Sequence, residues 1–160
     1  MCQVSEPGTA KNLKIINQLN KKTMKKMNPV VHFELPAENK DRMVDFYTNV
    51  FGWDAQRLGP EMGNYIIVKT TETEENGFPK KPGIINGGLF EKSKDNQQPS
   101  VVIAVDDIRE AMKNVVAAGG KIIGGGYKAG EPDDIPGVGL YIAFKDTEGN
   151  RLSLLQPKGM

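Results

Sequence analysis

His32 is the only histidine among 160 residues, and it stands two positions before Glu34 in the run VVHFEL, residues 30–35. On a β-strand, residues i and i+2 share a face and lie about 6.5–7 Å apart. The two side chains can therefore reach one small molecule. A histidine of near-neutral intrinsic pKa beside a carboxylate is the arrangement of a general base, because the carboxylate orients the ring and raises its pKa. The same pair offers a first-row metal only two of the three or four protein ligands it usually takes. Glu61, or Asp133 with Asp134, would have to fold in from loops to complete a set. His32 and Glu34 are thus read as catalytic candidates and as weak metal ligands, with a divalent metal disfavoured and no other cofactor indicated. The plain alternative is two polar residues that satisfy each other in a damp cavity.

The elements that must position this pair follow from an internal repeat. GNYIIVKTTE (63–72) matches GLYIAFKDTE (139–148) in residue type at a constant offset, which makes Tyr65 and Tyr141 repeat mates. Upstream, VVHFELPA and SVVIAVDD are both alternating apolar strands that run into helices. The first helix, about Asn39 to Phe51, places Met43, Phe46, Tyr47, Val50 and Phe51 on one face, with Asn39 as cap and Gly52 as stop. The second, about Asp107 to Ala118, repeats the pattern. Short second strands (FGWDAQRLG and GGKIIGGG), the matched third strands and fourth strands in GIINGGLFE and GNRLSLLQP complete the reading βαβββ twice. The expected fold is α+β: two modules, 29–92 and 99–157, whose curled mixed sheets form a cup with the helices outside.

Alternation assigns the faces. Val31, Phe33 and Leu35 cover the first helix, leaving Val30, His32 and Glu34 toward the cup. In the second module Ser100, Val102 and Ala104 face the cup, as do Arg151, Ser153 and Leu155 on the last strand. Tyr65 and Tyr141 are placed to stack on a ligand, although wall packing is the commoner use of such rings. The segments ETEENGFPKKPG and YKAGEPDDIPGVG are rich in Pro and Gly and read as rims or lids.

HFELPAENKDRMVDFYTNVFGW, VIAVDDIREAMKNVVAAGGKII and PGVGLYIAFKDTEGNRLSLLQP together resemble the vicinal-oxygen-chelate superfamily, which includes glyoxalase, bleomycin-resistance proteins and extradiol dioxygenases. The resemblance covers about residues 29–157. It implies a divalent ion held in the cup by histidine and glutamate on the first and last strands of each module, with a glutamate moving the substrate proton. Carried over by position, it places these ligands near Val30, at Ser100, at Ser153 and within Asn86-Gly87-Gly88. None of these is a strong metal ligand. The resemblance therefore implies a glyoxalase-related lyase or isomerase acting on a small oxygenated molecule through His32 and Glu34, with Tyr65, Asn86, Tyr141, Arg151 and Ser153 lining the ligand site. Its alternative is sequestration of an aromatic or amphipathic compound without chemistry, as in bleomycin-resistance-type proteins. Relatives of this kind also make a homodimer the expected assembly.

Composition bounds the rest. Hydrophobic residues make up 38% and charged residues 26% of the chain, as in ordinary globular proteins. Residues 1–28 hold six lysines and one glutamate, against 15 basic and 19 acidic residues in 29–160. The first 28 residues read as a basic tail outside the fold, with Leu13, Ile16 and Leu19 near helical spacing. An acidic folded part gives no electrostatic reason to bind nucleic acid. No apolar run approaches the ~20 residues of a membrane helix. One cysteine, Cys2, excludes an intramolecular disulfide, and a reducing cytoplasm is the expected compartment.

Overall fold

The computed structural model describes residues 26–159. The basic amphipathic stretch read in the tail lies outside the described residues. The chain forms β1 (Val30–Ala37), α1 (Lys40–Phe51), β2 (Asp54–Arg57), a 3-10 turn (Pro60–Met62), β3 (Ile66–Lys69) and β4 (Asn86–Glu91). It then forms β5 (Ser100–Ala104), α2 (Ile108–Ala117), β6 (Lys121–Gly124), β7 (Asp133–Ile135), β8 (Gly139–Lys145) and β9 (Arg151–Pro157). All nine strands belong to one mixed sheet in the order β2-β3-β4-β1-β5-β9-β8-β6, with β7 paired to β8.

That order is one four-strand pattern followed by its reverse. In each half the first strand runs parallel to the fourth, as β1 beside β4 and β5 beside β9. The halves join through the antiparallel β1–β5 pair, so the two modules form one sheet within a single chain. The repeat is therefore present as expected, with one addition. DDI pairs with β8 as β7, Asp133 opposite Tyr141, inside the segment read as a rim. Three residues, two of them acidic, carry no apolar alternation by which a strand could be recognised.

Local chemistry fixes the helices. Asn39 accepts a hydrogen bond from the Arg42 amide at 2.8 Å, and Asp107 accepts from the Arg109 and Glu110 amides at 2.9 and 3.0 Å. Both satisfy N–H groups that the first turn leaves unpaired. Gly52 ends α1 in the left-handed region at φ 69°, a conformation that costs glycine little. No helix among the described residues is long and apolar enough to cross a membrane.

The two helices pack differently. α2 closes over Val105, Ile108, Ile142, Phe144 and Leu154, joined by Met112, Val115 and Leu152. Under α1, Met43 and Val44 meet Ile66, Val68, Leu89, Phe33 and Trp53. The apolar face expected for α1 is only partly used: no residue of the helix is fully buried, and Phe46, Val50 and Phe51 are more than half exposed. The helix sits with its Met43–Val44–Tyr47 edge toward the sheet, which turns the rest of that stripe outward.

Candidate functional site

The centre of the sheet carries β1, and its inward residues set the floor of the site. His32 lies opposite Asn86 on β4 and Val102 on β5, while Glu34 lies opposite Gly88 and Ser100. The strand ladders also fix which residues are true repeat mates. Ile66 pairs with Leu89 as its mate Ile142 pairs with Leu154, which equates Gly88 with Ser153. Gly88 pairs with Glu34, and Ser153 pairs with Val102, so the mate of Ser100 is His32. This corrects the carry-over that placed the first-strand position near Val30. A register irregularity separates Val30 from His32, and Val30 is 44% exposed at the strand's start. The four equivalent positions are therefore His32, Gly88, Ser100 and Ser153.

Glu34 is 8% exposed and is surrounded by hydroxyls. The Tyr141 hydroxyl lies 3.1 and 3.3 Å from its two oxygens, Ser100 donates at 3.2 Å and the Ser153 hydroxyl lies 3.4 Å away. Ser153 and Tyr141 are themselves 2.7 Å apart. The Tyr141 proton goes to Glu34, which leaves the phenol oxygen free to accept from Ser153. The contact also reports the curvature: β8 lies three strand positions from β1, about 14 Å away in a flat sheet. The sheet curls enough for Tyr141 to reach Glu34.

His32 does not pair with Glu34. Its Nε2 lies 3.0 Å from the Tyr65 hydroxyl, and the Tyr65 phenol occupies the space that a side chain at position 88 would fill. Phe33 covers Gly87 in the same way from the opposite face. Two consecutive glycines on β4 thus admit an aromatic ring on each side. The two tyrosines, expected either to stack on a ligand or to pack the wall, direct their hydroxyls to the histidine and the glutamate. The repeat was the signal that both faced the cup, whereas their partners depend on how far the sheet curls.

The titration of the pair is set by depth. Burial lowers the His32 pKa from 6.5 to about 4, the reverse of the rise expected from a neighbouring carboxylate. The ring is neutral at pH 7. Burial raises the Glu34 pKa, against the lowering effects of Tyr141, Ser100, the Arg151 charge and Ser153. Burial and the Glu34 charge push the phenols of Tyr65 and Tyr141 upward, so both remain protonated donors.

Two other expected site residues take different positions. Asn86 is buried, but its side chain accepts from the Thr70 amide at 2.9 Å and donates to the Gly77 carbonyl at 3.3 Å; it anchors the 70–77 loop. Arg151 is half-buried and acts on Glu34 through its charge.

These donors do not fit the metal that the fold family implies. Of the four equivalent positions only His32 carries a strong ligand, and the Tyr65 ring fills the space over Gly88. Among the described residues no group of three or more His, Cys, Asp or Glu side chains is placed to hold a metal ion. The loops do not complete one: Glu61 is exposed, and the Asp133 carboxylate is bound by the Gly126 and Tyr127 amides.

Fold and site together define a two-module cup whose floor is an acid–phenol network. The Glyoxalase/Bleomycin resistance protein/Dioxygenase superfamily matches residues 30–154, and the chain belongs to it. It is 31% identical over 127 residues to CFP32 of Mycobacterium tuberculosis, named as a candidate glyoxylase; the match covers 78% of this chain and 42% of CFP32. It is 28% identical to a candidate lactoylglutathione lyase of Vibrio cholerae, over 81% of this chain and 91% of that protein. The fold is shared with Streptomyces coelicolor methylmalonyl-CoA epimerase, at a TM-score of 0.58 and 13% identity over 84% of this chain and 98% of that one. The chain spans less than half the length of CFP32.

Proposed function

We propose that the protein is a glyoxalase-related lyase or isomerase that moves a proton on a small carbonyl compound bound in the cup, with Glu34 as the proton carrier. The observation that carries this is Glu34 itself, a buried carboxylate whose pKa is raised by burial. Such a group holds a proton more readily than an ordinary glutamate, which suits it to take one and return it. The step balances within the site. Glu34 takes the proton from the carbon beside a carbonyl, the electron pair passes to the carbonyl oxygen as an enolate, and the proton returns to that carbon or its neighbour. Once Glu34 holds the proton it no longer needs the Tyr141 hydroxyl, which is then free to donate to the enolate oxygen. Neutral His32 accepts from Tyr65 and holds that phenol in place. The ligand set expected of a metal-dependent glyoxalase is not matched, so no step is assigned to a metal.

The test uses deuterium exchange. Lactoylglutathione and methylmalonyl-CoA, the compounds in the relatives' names, each carry a proton beside a thioester carbonyl. Incubation in D2O should replace that proton in one of them, read by proton NMR, and Glu34→Gln should slow exchange by ~100-fold or more. A second reading, sequestration without chemistry, draws support from the hydroxyls that already engage both Glu34 oxygens. A thermal shift that persists in Glu34→Gln with no exchange would favour it. Neither exchange nor a shift would remove both compounds as ligands.

A further inference from the structure

Arg151 opens β9 on the cup face, and the strand ladder sets Lys145 of β8 directly opposite it. Lys121 of β6 stands opposite Lys145 in turn. Residues paired in this way point to one side of the sheet, from strands about 4.8 Å apart. The next residues along each strand, Leu152, Phe144 and Ile122, pack under α2, so the three cations share the other face. The row grades inward: Lys121 and Lys145 are exposed and Arg151 is half-buried. Among the described residues none of the three forms an ion pair, and no carboxylate, Glu34 included, comes within 4.0 Å of Arg151. Like charges directly opposite on a sheet cost stability. The row is therefore no asset to the fold by itself.

The repeat shows that Arg151 is also spared the task of its mate. Since Gly88 and Ser153 are equivalent, Asn86 corresponds to Arg151, and Asn86 holds the 70–77 loop. The matching turn of the second module closes on itself: Asp146 accepts from the Glu148 and Asn150 amides and from the Asn150 side chain, each at 2.9 Å. Arg151 has no part in it. Its charge is felt by both Glu34 and Tyr141, yet the Glu34 oxygens are occupied by the hydroxyls of Ser100, Tyr141 and Ser153. We propose that Arg151 binds a carboxylate of the substrate, so that the compound turned over is a small carbonyl compound with a carboxylate a few bonds from the carbon that loses its proton. A guanidinium meets a carboxylate through two parallel N–H bonds, a geometry that lysine lacks. Lys145 and Lys121 extend the positive potential to the rim and raise the local concentration of such an anion. The inference rests on the reading of the cup as the ligand site and names its substrate class.

The test compares 2-oxobutyrate with its uncharged amide, 2-oxobutanamide, which share a carbonyl flanked by exchangeable protons. Full-length protein labelled at its only histidine reports occupancy of the cup through the His32 imidazole signals in heteronuclear NMR. The acid should bind ~10-fold or more tightly than the amide. Arg151→Gln should abolish that preference and Arg151→Lys should restore part of it, whereas Lys145→Gln should weaken acid binding ~2-fold or more at low salt. Equal binding of the two compounds, a preference that Arg151→Gln leaves intact, or binding of neither up to roughly 50 mM would overturn the proposal. An unchanged Lys145→Gln protein would overturn the part given to the lysines. Deuterium exchange of the same compounds separates this inference from the proton-transfer reading. Exchange of the amide as fast as the acid, lost in Glu34→Gln, would keep the proton transfer and sink the anion site. A carboxylate preference that persists in Glu34→Gln, with no exchange in the wild type, would do the reverse.

Discussion

Glu34 and His32 stand two residues apart on one strand, yet they take different partners and their pKa values move in opposite directions for ordinary groups of their kind. Burial is the common cause, because it penalises the charged form of each: imidazolium for His32 and carboxylate for Glu34. A sequence shows that a carboxylate is near a histidine, but it does not show how much water the fold removes from both. That is why the side of the strand was legible from alternation and the direction of the His32 shift was not. The consequence is directly measurable, since the chain has one histidine. The imidazole signals in a heteronuclear NMR titration should stay neutral from pH 8 to pH 5 and turn near pH 4. A midpoint at or above the ordinary value would mean that Glu34, and not burial, governs the ring.

At the scale of elements, most of the architecture was legible because each boundary has a local cause. Asn39 and Asp107 cap the helices with their side-chain oxygens, and Gly52 ends α1 in a conformation few other residues adopt readily. β7 was not legible, since its pairing with β8 decides it and its composition does not. Nor was the role of β4, where Asn-Gly-Gly read as a weak ligand position. Its glycines are spaces for Phe33 and Tyr65. Gly88→Ala should therefore displace Tyr65 from His32 and destabilise the fold by about 1–3 kcal/mol, the range for overpacking a filled interior. Tyr65→Ala in the same chain vacates that space, so the double variant should lose less stability than the sum of the singles. Urea denaturation of the three proteins checks this, and simple additivity would show that the ring and the glycine do not compete for one volume.

For the whole molecule, the repeat made the two-module plan visible, while the closeness of Tyr141 to Glu34 comes only from the curl of the assembled sheet. The buried site should also leave its mark on global stability, with two opposed signs. His32 binds its proton less readily in the folded chain than in the unfolded one. Stability is therefore lost as pH falls from about 6.5 to about 4, by an amount on the order of 3 kcal/mol. Glu34 has a raised folded pKa, so the folded chain holds its proton more tightly. Its contribution is present at low pH and is lost as pH rises from the ordinary glutamate value through the raised one. The two slopes oppose each other wherever these windows overlap. Relative to wild type, His32→Gln should flatten the stability profile between pH 6.5 and 4, and Glu34→Gln should steepen its fall toward acid. Thermal denaturation across this range separates these effects from any constant cost of substitution. Profiles for the three proteins that run parallel would show that neither group changes its protonation on folding.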